Sequence, residues 1–256
     1  MPDILLAIKK LSIHFGGLRA IDDISFDVKK SEILGLLGPN GAGKTTCFNA
    51  ISGVYKPTAG EILLEETRID GLTPYQVAAM GIGRTFQIVK PFAGLTVLEN
   101  VIIPLGLDYH RGNILRSFVK YGKKTVVDEA KALLDRVGLA DQSERKAGLL
   151  PIGNLRRLEI ARALALKPKI LLLDESFSGL RHHEITQIEL LVRGIKERGI
   201  SVLLIEHNMK VAMNLSDRIV VLDHGNKLAE GLPCEIASNQ AVIEAYLGKG
   251  ESGRVA

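Results

Sequence analysis

Apolar residues along this chain fall into short runs whose spacing changes from strand-like to helix-like and back. Residues 4–8, 11–15 and 24–28 alternate with the turn residues Gly16-Gly17 and Asp22-Asp23, and predict three strands of an antiparallel β layer. Residues 33–37 are apolar and bounded by glycine, the pattern of a buried parallel strand, and residues 44–52 follow as a helix. After a turn at 56–60, residues 61–64 return as a short strand to the first layer. Thr73-Pro74 opens a helix over 73–80, with a cap and a first-turn proline, and residues 81–87 read as a strand ending in the polar Gln87.

From residue 88 to about 155 the texture is helical. Thr96 with Glu99 forms a capping-box pattern, and residues 125–137 make a strong helix. Between them, residues 107–124 mix aromatic and basic positions, as an amphipathic partner-facing helix or an ordinary half-buried one would. Strands return at 170–173 and 201–205; residues 218–222 and 227–229 form a hairpin, and 240–247 a last helix. The expected division is a core of residues 1–87 and 160–256 with an inserted helical lobe, 88–159. At 256 residues, 46% hydrophobic, the chain has enough apolar matter for one continuous α/β core with that lobe added.

Charge adds little. The net +4 comes from 33 basic and 29 acidic residues mixed along the chain, so a solvated surface explains it and no nucleic-acid partner is implied. Cys47 and Cys234 are far apart and lack metal-ligand spacing, which points to a reduced compartment; no histidine pair supports a transition-metal site. The first residues lack the pattern of a secretion signal and no run is long enough to span a bilayer. The expectation is a cytoplasmic protein, peripheral on the inner face of the membrane.

The chemistry is concentrated between the second layer's first strand and its helix. Gly38, Pro39, Asn40, Gly41, Ala42, Gly43, Lys44, Thr45 and Thr46 fit the phosphate-loop template G-x-x-x-x-G-K-[ST]. Such a loop aims backbone N–H groups and a helix dipole at one point, Lys44 reaches terminal phosphates, and the Thr45 hydroxyl is a Mg²⁺ ligand. Asp174, at the tip of the 170–173 strand, is a second Mg²⁺ ligand, and Glu175 a group that polarises an attacking water. His207, at the end of the 201–205 strand, is placed to donate to a γ-phosphate. Phe15 reads either as a platform for a purine ring or as one core phenylalanine among seven.

In order and spacing these motifs resemble an ABC-type ATPase, over nearly the whole chain. Phe15-Gly16-Gly17-Leu18 with Ala20, Gly83-Arg84-Thr85-Phe86-Gln87, Leu98-Glu99-Asn100-Val101 and residues 156–164 are similar to the ATP-binding subunits of branched-chain amino acid importers. The resemblance implies an α/β phosphate-loop core with a parallel sheet, an antiparallel β layer and an inserted helical lobe. It also implies ATP and Mg²⁺ as cofactors and a head-to-tail pair of ATP-binding subunits beneath transmembrane permease subunits, served by a substrate-binding protein. Phe15 becomes the adenine platform, and Gln87 a sensor of Mg²⁺ and the attacking water. Leu150, Pro151, Ile152, Gly153 and Asn154 occupy the signature loop that meets the partner's ATP.

That loop usually reads Leu-Ser-Gly-Gly-Gln. Here Pro151 offers neither hydroxyl nor N–H, and Asn154 is one methylene shorter than glutamine. Ser176 stands where the family has proline, Arg181 where it has aspartate or asparagine, and both are expected at the dimer seam. These departures raise two expectations: an unequal pair of ATP sites formed with a different ATP-binding subunit, or neutral drift in a working homodimer. Two other classes remain open: a soluble ABC-type regulator or mechanoprotein, and a nucleotide-dependent interaction module with little turnover.

Overall fold

The computed structural model describes residues 4–85, 90–109 and 123–247. β1 (Ile4–Phe15) and β2 (Leu18–Lys29) form an antiparallel hairpin, with β4 (Ala59–Leu64) on the other side of β1 and the two-residue β5 (Thr67–Arg68) at the edge. The sequence predicts two strands where β1 is one. Lys10 adopts φ 49° and the register shifts between Ile8 and Leu11, so a bulge absorbs the interruption and both residues stay buried. Asp23, at φ 52°, does the same in β2, which begins six residues earlier than its apolar run.

The second sheet has the order β10-β9-β3-β8-β7-β6, from β3 (Ile33–Leu37), β6 (Ile82–Arg84), β7 (Ile170–Asp174), β8 (Ser201–Ile205), β9 (Arg218–Asp223) and β10 (Asn226–Gly231). All neighbours are parallel except the β9–β10 hairpin. β3, β7 and β8 are buried at every position because both faces are covered. One face, through Leu36, Leu172, Leu203 and Ile205, packs on α1 (Lys44–Ile51) and the antiparallel sheet beyond it. The other, through Leu171, Leu173, Val202 and Leu204, packs on the helices that follow.

Besides α2 (Pro74–Met80), which links the β layer to β6, the helical region comprises α3 (Val97–Tyr109), α4 (Lys123–Arg136) and α5 (Ile152–Leu164). The capping box is present: the Thr96 N–H donates to Glu99 Oε2 at 2.7 Å, and the Glu99 N–H to Thr96 Oγ1 at 3.1 Å. α5 runs unbroken past residue 159 and is the element that joins lobe to core, its Leu158 and Ile160 packing in one cluster with Leu171. Most of the mixed aromatic and basic stretch at 107–124 lies outside the described residues.

The chain continues through α6 (His182–Glu197), α7 (Met209–Leu215), α8 (Pro233–Ala237) and α9 (Gln240–Leu247). Ile236 and Val242 of the last two form a third small core with Leu37, Ile219 and Val221. Among the described residues, no helix is long and apolar enough to cross a membrane.

Candidate functional site

The glycine-rich loop leaves β3 in a conformation only glycine tolerates. Gly38 has φ +146°, and a Cβ there would stand 2.1 Å from the Leu222 carbonyl oxygen; at Gly43, φ +102°, it would stand 2.7 Å from that of Ala20. α1 then starts at Lys44 with no side-chain cap and no acidic residue in its first turn. The positive end of the helix therefore faces the loop unneutralised by its own sequence. The Lys44 ammonium is buried and donates to the carbonyl oxygens of Gly38 at 2.7 Å and Pro39 at 2.9 Å. Burial pushes its pKa down, and the nearby charges of Glu175 and Asp174 oppose that.

Asp174 closes β7 and is buried, its Oδ2 accepting from Arg84 Nη2 at 3.0 Å. Burial raises its pKa and Arg84 works against the rise. Arg84 also donates to Asn49 Oδ1 at 2.8 Å and Ser52 Oγ at 2.7 Å, so one guanidinium fastens the carboxylate of β7 to the helix that follows the loop. The sequence reading gives Arg84 no such part. Its signal was the parallel pairing of the two strands, which sets Arg84 beside Leu172 and so within reach of Asp174.

Glu175 departs from the strand line. Its φ of 48° is left-handed, its N–H donates to Ile205 O at 3.0 Å, and its Oε1 lies 2.6 Å from His207 Nε2. The carboxylate at the end of β7 and the histidine after β8 thus meet over the loop. A cleft of about 530 Å³ is lined by the loop from Asn40 to Thr46 together with Phe15, Arg19, Glu175, His207 and His224. Phe15 is 46% exposed, with its ring edge-on to Tyr55 at 5.2 Å, which overturns its reading as a core residue. Chain topology, rather than residue type, put it at the β1–β2 turn beside the cleft. Gln87 lies outside the described residues.

The signature-loop residues do not line this cleft. Pro151 is the N-cap residue of α5 and Ile152 is exposed, while Asn154 Oδ1 accepts from Arg157 Nη2 at 2.6 Å and is held by its own helix. Gly153 is buried against Glu184, whose Oε1 would be 2.3 Å from a Cβ at that position. Ser176 is not at an exposed seam: it is 1% exposed, and its hydroxyl lies 3.2 Å from Thr85 Oγ1. Arg181 is exposed at the start of α6.

The oxygen donors present, the Thr45 hydroxyl at the helix start and the Asp174 carboxylate, suit a hard cation such as Mg²⁺. Through Arg84, the Asp174 carboxylate is tied to Asn49 and Ser52 of the helix that follows the loop. A glycine-rich loop between a buried parallel strand and a helix, with two carboxylates at the end of β7, the next strand but one in the sheet, defines a nucleotide-binding protein of the phosphate-loop class. The ABC transporter family profile matches residues 21–178, and a second profile, of branched-chain amino acid ATP-binding cassette transporters, matches residues 226–252. The chain belongs to the ABC transporter family.

It is 42% identical over 254 residues to the high-affinity branched-chain amino acid transport ATP-binding protein LivG of Salmonella typhimurium, covering 97% of this chain and 100% of that one. Among solved structures it is similar to an ATP-binding cassette of an ABC transporter in its ADP conformation, with a TM-score of 0.85 and 31% identity over 96% of this chain and 99% of that one. It is also similar to a dimeric cassette in a post-hydrolysis state bound to ADP and Pi, with a TM-score of 0.77 and 27% identity over 90% and 99%.

Proposed function

We propose that this chain is the ATP-hydrolysing subunit of an importer of branched-chain or other small amino acids, working on the cytoplasmic face of the membrane. The observation that carries the proposal is the 2.6 Å contact between Glu175 and His207 over the cleft that the phosphate loop floors. The loop amides from Gly38 to Thr46 bind the polyphosphate, Lys44 exchanges its two loop carbonyls for terminal phosphate oxygens, and Phe15 supports the adenine. Thr45 and Asp174 hold Mg²⁺, which when bound neutralises phosphate charge. Glu175 accepts the proton of the water that attacks the γ-phosphorus, as the bond to the β-phosphate oxygen breaks and ADP and phosphate leave. His207 orients Glu175 and donates to the γ-phosphate, and Gln87 senses the same water.

Likeness to LivG supports the substrate class, and likeness to a dimeric cassette supports a second ATP-binding subunit as partner. Transmembrane permease subunits complete the assembly, with a substrate-binding protein acting through them. Gly153 packed against Glu184 of α6, and Asn154 held by Arg157 of its own helix, support pairing with a different subunit, so that this chain gives the partner's ATP a weaker contact. Replacing Glu175→Gln tests the base: turnover should fall at least about 100-fold while ATP stays bound. Steady hydrolysis near the unmodified rate would refute the assignment.

A further inference from the structure

The phosphate loop is held from outside by the C-terminal quarter of the chain. The Gly38 N–H, the first amide of the loop, donates to the Tyr246 hydroxyl oxygen at 2.7 Å. The Gly38 carbonyl, in the next peptide unit, accepts from Lys44 Nζ together with that of Pro39, so the tyrosine and the phosphate-binding lysine meet the backbone on either side of one Cα. A second tie comes from the β9–β10 turn, where the Gly225 N–H donates to Ala42 O at 3.2 Å and Gly225 O accepts from Asp22 at 2.8 Å.

Tyr246 reaches Gly38 because α9 is docked firmly one turn earlier. Val242, four residues before it and on the same helix face, is 3% exposed and sits in one cluster with Leu37, the residue directly before Gly38. Asn239 fixes the helix start, its Oδ1 accepting from the Ala241 N–H at 3.0 Å and the Val242 N–H at 3.3 Å. Tyr246 is 36% exposed, yet enough of its phenol is covered to raise its pKa, with the Gly38 N–H opposing the rise. An N–H at the exit of a buried strand needs a partner, and here a side chain 208 residues away provides it.

We infer that Tyr246 is a positioning residue for nucleotide binding: its hydroxyl holds the Gly38 N–H where the loop leaves β3, so that the C-terminal segment is mechanically coupled to the backbone of the phosphate loop. The segment from residue 226 matched by the branched-chain cassette profile thus ends in a brace on the ATP site. Coupling of this kind is reciprocal: nucleotide that orders the loop also holds α9 in place. The inference rests on the nucleotide-site reading above.

The test uses the full chain and Tyr246→Phe, which keeps the ring packing and removes only the oxygen. Calorimetric titration with MgADP should give a Kd weaker by about five- to tenfold, the value of one backbone hydrogen bond. In hydrogen exchange, MgADP should slow the amides of residues 240–247 in the unmodified chain and leave them unchanged in the variant. A purely structural tyrosine would lower the unfolding temperature, leave the Kd within twofold and keep that protection, and this result overturns the brace. Failure of the unmodified chain to bind MgADP would instead sink the nucleotide-site reading itself.

Discussion

Glu206 shows how one buried side chain at the site's edge sets a pH dependence. It is 2% exposed, and burial drives its carboxyl from the usual 4.5 up to about 7, with the Phe177 N–H opposing the rise and the charge of Glu175 adding to it. A carboxyl whose folded pKa is raised favours the protonated fold. Its contribution is therefore complete below about pH 4.5 and is lost as pH climbs through 7, a change of about 3 kcal/mol. Glu206→Gln keeps an acceptor for Phe177 and removes the titration. The unfolding free energy of the unmodified chain should fall between pH 5 and pH 8 relative to that of the variant, and parallel pH profiles in denaturant melts would contradict this. Glu175 and His207 were legible as strand-tip residues, whereas Arg84 and Tyr246 were not. Their partners lie 90 and 208 residues away in the chain, and no local pattern reports such a pairing.

At the scale of elements, the strand–loop–helix unit from Ile33 to Ile51 is constrained at both of its loop glycines, Gly38 and Gly43. Its strand was visible because full burial removes the alternation of polar positions, and its helix because apolar residues resume a helical period. The bulges in β1 and β2 were not visible. A charged residue in an antiparallel strand looks like a chain reversal until the partner strand shows that the register merely shifts. Gly38→Ala tests the unit directly. The new Cβ meets the Leu222 carbonyl oxygen in a left-handed backbone region, so the unfolding free energy should drop by about 2–4 kcal/mol. MgADP binding should be lost even below the melting temperature, and a variant that melts and binds like the parent would show that the loop relaxes.

For the whole molecule, the groups proposed for its own nucleotide line one cleft, while those proposed to meet a partner's nucleotide lie outside it and have contacts within the chain. Lys44, Glu175 and His207 line one cleft, yet the start of α5 packs on Glu184 and Asn154 is bonded to Arg157. If two unlike subunits share the work, Glu175→Gln should abolish most turnover of the pair, and the matching change in the other subunit should cost less. Turnover by the two singly substituted complexes, purified with their permeases from gently solubilised membranes, measures this. Equal losses would mean a symmetric pair.

The sequence alone determined the phosphate loop, the layered α/β plan and the carboxylates at the end of β7, because each is written in a local pattern of glycine spacing, full burial or strand-end charge. Only the tertiary structure decided that Ser176 turns inward and that Arg84 and Tyr246 brace the site; for Phe15 it chose between two readings that spacing left open, putting the ring at the cleft. Those outcomes depend on which distant backbone supplies a partner for a buried charge or an N–H. That choice is made when the sheets and helices pack, and not before.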